Sequence, residues 1–138
     1  QQSTASYAAS LSRTLVEATS GFGVMVAGAS ATIDALLVHG TPGANEGDGI
    51  LAVTLESAAH AELTRTRVEQ WKRAGISSFG ADIVLGSSVL ECNTIQLDGE
   101  LHQSGFTFED AGGNVCGCNG ETSPCKVVSS NLEPPQSF

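Results

Sequence analysis

A chain of 138 residues with fifteen acidic and six basic side chains carries a net charge of −9. This balance excludes the basic footprint that displaces counterions from nucleic acid, and it disfavours anionic membrane surfaces. The length is that of one domain over residues 1–138. Its core must rest on aliphatic side chains, because the aromatics are Trp71, Tyr7 and five Phe.

In chain order, residues 3–18 place Tyr7, Ala8, Leu11, Leu15 and Ala18 on one stripe, which predicts a helix ended by Ser20-Gly21. The run GFGVMVAGA at 21–29 predicts a buried strand through Val24, Met25 and Val26. Its glycines permit close approach of another backbone. Phe22, Val24, Met25 and Val26 are therefore the candidates for contact with a second copy or a protein partner. The stretch 21–40 is long enough to span a membrane, but Asp34, His39 and several small residues interrupt it, so no stable span is expected.

Ser30 resembles a helix N-cap. Ile33, Leu36 and Leu37 have helical spacing, and His39-Gly40 with Pro42 supplies stop signals. A β reading of 31–38 remains open for so short a run. Residues 41–49 (TPGANEGDG) read as a loop, 50–55 as a strand or helix start, and 57–74 as a helix closed by Gly75. Beyond Gly75 the alternation becomes β-like, with strands expected at 79–85, 88–97 and 100–109. Asp98-Gly99 signals a two-residue hairpin. No internal repeat is apparent. The expected fold is α+β: N-terminal helices packed on one face of an antiparallel meander, then a C-terminal disulfide-stapled loop and an extended tail over 131–138.

The four cysteines, Cys92, Cys116, Cys118 and Cys125, lie in the last third of the chain. Cys116 and Cys118 are too close to bridge one another without strain. Two pairings remain: 92–116 with 118–125, or 92–118 with 116–125. An even count in a Gly-, Asn- and Pro-rich stretch favours disulfides over metal, and so a secreted or cell-surface location. The N-terminal Gln1 suits a processed terminus equally well as a trimmed one.

Catalytic constellations are sparse. No Gly-x-Ser-x-Gly elbow occurs, and no Cys–His pair is suggested. His39, His60 and His102 are scattered, so no metal site is expected. The glycines of GFGVMVAG lack the Lys-Ser/Thr that a phosphate loop requires. The acids Glu46, Asp48, Glu109 and Asp110 sit at turns, where acids are common. The expectation is a protein that is not an enzyme and has no cofactor.

Two resemblances add to this. The run SGFTFEDAGGNVCGCNGET at 104–122 resembles the C-terminal end of A-type iron–sulfur carriers, with a Gly-Phe-x-Phe strand before Cys-Gly-Cys. That resemblance implies Cys116 and Cys118 as ligands; it departs from the family at Asn119, which stands in place of a glycine. The order of elements (helix at 3–18, connecting region 21–75, sheet 79–109, cysteine loop 92–125) is similar to a type IV pilin or pseudopilin lacking its N-terminal half-helix. It implies a structural or interaction subunit that self-associates or binds a protein. The alternative is a small secreted acidic toxin, effector or inhibitor that presents the cysteine loop to its target.

Overall fold

The computed structural model describes residues 6–17, 21–41 and 47–135. Its strands wind as successive coils. The first coil is β1 (Ala8–Glu17) and β2 (Phe22–Ala27); the second is β3 (Ser30–His39) and β4 (Asp48–Val53). The third holds β5 (His60–Thr64), β6 (Arg67–Glu69) and β7 (Ala74–Phe79), and the fourth β8 (Asp82–Gly86), β9 (Val89–Glu91) and β10 (Ile95–Glu100). A last coil contributes β11 (Thr107–Asp110), β12 (Val115–Cys118), β13 (Glu121–Ser123) and β14 (Val127–Val128).

Among the described residues every strand pair is parallel except β12 with β13. One sheet has nine strands, with β1 paired to β3. The other has five, in the order β14-β10-β7-β4-β2. This is a parallel β-solenoid arrangement. It overturns the α+β expectation, since no helix occurs among the described residues. Residues 8–17 of the expected first helix form β1, the segment 30–39 is β3, and 57–74 holds β5, β6 and a corner at Trp71. The expected antiparallel meander is a parallel stack. Asp98-Gly99 makes no hairpin; both residues lie inside β10, in register with Ser77 and Ser78 of β7.

The interior is built of ladders in which each coil stacks one apolar side chain on its predecessor. Ile33, Leu63 and Leu85 form one ladder. Val38, Val68, Leu90 and Cys116 form a second, and Val24, Ile50, Ile76 and Leu97 a third. Nearly all of these are buried, and together they form the main core. The repeat that the sequence conceals is therefore spatial: Ala8 aligns with Ser30, Ser30 with His60, His60 with Asp82, and Asp82 with Thr107.

The corners explain why these segments look helical. Arg13, Ala35, Arg65 and Ser87 all have left-handed φ, at 48°, 55°, 49° and 49°, and they stack one above another. One left-handed residue shifts the phase of a strand's alternation. Inward positions in β3 then run Ile33, Leu36 and Val38, and the step of three from Ile33 to Leu36 imitates one face of a helix. The residue after each left-handed position commonly carries a hydroxyl that closes the corner. Thr14 Oγ1 donates to Ser12 O at 2.8 Å, Thr66 Oγ1 to Thr64 O at 3.1 Å, and Ser88 Oγ to Gly86 O at 2.8 Å. Thr66 and Ser88 are buried, so these bonds satisfy groups that water does not reach.

A second corner is filled by Trp71, 2% exposed. Asn93 brackets it: Trp71 N donates to Asn93 Oδ1 at 3.0 Å, and Asn93 Nδ2 donates to Val68 O at 3.0 Å. The indole leaves no room beneath it. A Cβ at Gly49 would lie 2.9 Å from Trp71 Nε1 and 2.6 Å from Gly75 O.

Candidate functional site

The cysteines sit where the solenoid ends. The structure pairs Cys92 with Cys118 and Cys116 with Cys125, the second of the two possible connectivities. Cys92 and Cys118 occupy the same corner on adjacent coils, with Cα atoms 4.6 Å apart. Cys116 points inward beneath Leu90, 1% exposed, and ties the core to the outgoing chain at Cys125. Between them β12 turns back into β13, with Cys116 opposite Ser123 and Cys118 opposite Glu121. The turn is Asn119-Gly120, with φ 55° and 81°, the conformation a two-residue hairpin demands. With all four sulfurs in covalent pairs, the iron–sulfur resemblance has no free thiolates at Cys116 or Cys118 to act through.

The predicted contact residues are split by the sheet. Val24 joins the main core and Val26 is buried in it, while Phe22 and Met25 point to the other side of β2. There a smaller cluster of Leu51, Val53 and Phe79 lies on the outer face of the five-stranded sheet, with Leu132 packed against it. No strand among the described residues pairs with the outer edge of β1 or β2. At that edge, among the described residues, Leu11, Val16 and Val24 are only partly covered, and Leu15 is 57% exposed.

Two charged clusters escape a sequence reading because their members come from different coils. On the outer face of the nine-stranded sheet, His39, Glu69 and Glu91 stack in register. His39 Nδ1 lies 2.9 Å from Glu69 Oε1. Arg67 Nε donates to Glu69 Oε2 at 2.7 Å, and its Nη2 contacts Glu91. The Arg67 guanidinium holds the Glu69 carboxyl below the usual carboxylate range. These groups satisfy one another at a partly exposed surface, where such pairs contribute little.

The second cluster is buried under the C-terminal strap, residues 129–135, which crosses the outer face of the five-stranded sheet. Asp48, 1% exposed, accepts from Arg73 Nε at 2.7 Å, Ser77 Oγ at 2.7 Å and Ala74 N at 3.2 Å. Arg73 also stands over Phe79, with its guanidinium carbon 5.9 Å from the ring centre. Glu100 accepts from Ser129 Oγ at 2.7 Å, Ser130 N at 2.8 Å and Leu132 N at 3.2 Å. Burial pushes the Glu100 carboxyl up, but these donors outweigh it and hold it low. Asp98 accepts from Ser130 N at 3.1 Å through Oδ1, whereas its buried Oδ2 has no hydrogen-bond partner. Burial, with the Glu100 charge beside it, pushes Asp98 up to about 6. The expected extended tail is thus held down by hydrogen bonds as far as it is described.

No group of three or more metal-ligating side chains converges among the described residues. No helix of the described residues is long and apolar enough to cross a membrane. No family model, curated protein or solved structure matches this chain.

Proposed function

We propose that this chain is a secreted or surface-exposed structural and interaction module, without catalytic activity of its own, whose stapled solenoid end is built for an oxidising medium. The observation that supports this most directly is the Cys92–Cys118 bridge between adjacent coils, reinforced by Cys116–Cys125. Disulfides persist where thiols are not kept reduced. The pilin-like element order loses its premise with the first helix, so the reading rests on the solenoid and its staples. Contact with a protein, either a copy or a partner, fits the open edge of β1 and β2, because an unpaired strand edge templates the addition of another strand. At the C-terminal end the edge strands β11, β13 and β14 are only two to four residues long, a poorer template than the six- and ten-residue strands β2 and β1.

The test has two arms. Alkylation and intact mass of freshly isolated protein should find no free thiol; four free thiols would remove the compartment argument. Sedimentation across a concentration series should show self-association that Leu15→Lys weakens. A monomer at every concentration, with no captured protein lost on the same substitution, would remove the interaction argument.

A further inference from the structure

The C-terminal strap is fixed to the solenoid by main-chain donors aimed at two neighbouring carboxyl groups on one strand. Ser130 N is shared between Asp98 Oδ1 and Glu100 Oε1, and Leu132 N adds a second bond to Glu100 Oε1. Ser129 Oγ takes Glu100 Oε2. Farther along, Arg73 Nη1 donates to Glu133 O at 3.0 Å. Beneath the strap, Leu132 covers the apolar cluster of Leu51, Val53 and Phe79. We propose that this strap is a pH-gated latch, closed when Asp98 is protonated and released when Asp98 ionises beside Glu100.

The charged groups around Asp98 do not relieve it. Glu100 lies on the same strand and Asp48 on β4, and both carry the same sign. Arg73 is the one cation among the described residues acting there, and Asp48 already engages it through Nε and Nη2. Asp98 Oδ2 is buried with no donor. A second negative charge at that atom would therefore be neither solvated nor paired, an arrangement that is costly inside a protein. Lifting the strap readmits water to both carboxylates.

The direction follows from the raised value. Protonated Asp98 stabilises the closed strap fully below its ordinary value of 3.8, and that contribution is lost as pH rises through about 6. Glu100 titrates below this window, since its carboxyl is held low. If opening restores the ordinary Asp98 value, the closed-to-open ratio falls about tenfold between pH 5 and 7.5.

The experiment measures amide protection factors of Ser130 and Leu132 by NMR at pH 5 and 7.5, with Leu63 and Ile76 as core references. Protection factors remove the intrinsic pH dependence of exchange. The strap amides should lose about tenfold in protection at the higher pH while the core amides hold. Asp98→Asn should abolish that loss, and Glu100→Gln should lower strap protection already at pH 5. Equal wild-type protection at both values would overturn the latch. So would a full pH response retained in Asp98→Asn, or a Glu100→Gln strap as protected as the wild type at pH 5.

Discussion

Ala35 lies directly in line with Arg65 on the next coil, and both are held in the left-handed region, at φ 55° and 49°. Neither is a glycine, so each adopts a conformation that costs a residue with a Cβ roughly 1–2 kcal/mol. Ala35→Gly should relieve this and raise the melting temperature by a few degrees, because about 1 kcal/mol shifts a domain of this size by about 2–6 °C. Ala35→Val should lower it, since a β-branched side chain is worst suited to that φ. Thermal unfolding followed by circular dichroism orders the three proteins, and a Gly variant that melts below wild type would contradict the corner as described.

The staples should be unequal in kind. Cys92→Ser with Cys118→Ser removes a link across 26 residues, and Cys116→Ala with Cys125→Ala one across 9 residues. In the chain-entropy account each is worth about 2–4 kcal/mol, the longer loop more. Cys116 is also a core side chain, so its replacement adds a packing loss. Chemical denaturation of both double variants, each with the other bridge intact, gives the comparison.

Asp48 is the anchor of the buried charge cluster. Asp48→Ala would leave Arg73 with Glu133 O alone and take the acceptor from Ser77 Oγ and Ala74 N. Breaking a buried pair in this way costs about 3–5 kcal/mol, and urea midpoints at constant slope would register it. Asp48→Asn keeps an acceptor oxygen and should recover part of the loss.

Stability should peak in mildly acid solution. Glu69, lowered by Arg67, contributes above its ordinary value of 4.5, and that contribution is lost as pH falls. Asp98 has the opposite sign and loses its contribution as pH rises through about 6. Melting temperatures from pH 3 to 8 should be highest between these limits, and Asp98→Asn should flatten the alkaline side.

The backbone at Gly49 admits no side chain. Gly49→Ala would press on Val68 Cγ1 at 2.4 Å, on Gly75 O and on the Trp71 indole. A well-packed core absorbs such an intrusion at about 1–3 kcal/mol, with Trp71 fluorescence shifted as the ring moves.

Much of the local β signal was legible. Val24 to Val26 read as a strand and is one, and the alternation beyond Gly75 was real, although its pairing is parallel. The cysteines announced two bridges and left two pairings, because spacing alone cannot say which coil lies above which. What misled was the corner. A single left-handed residue at Arg13, Ala35 or Arg65 displaces the inward positions by one, and a strand bent in this way is written like a helix. No propensity marks it, because Ala and Arg are ordinary helix formers. Asn119-Gly120 and Asp98-Gly99 carry the same kind of turn signal, and only the first makes a hairpin, since Asp98 and Gly99 lie inside β10. The acidic cluster was invisible, since Asp48, Arg73, Asp98 and Ser130 meet only once the coils have stacked.

The stapled corner also has a mechanical meaning. Each coil is held mainly by its immediate neighbours, so a force pulling the two chain ends apart strips turns singly from the β1 side. The unravelling halts at Cys92. The covalent tether to Cys118 then bears the load, and the loop between the two cysteines is bypassed by the pull.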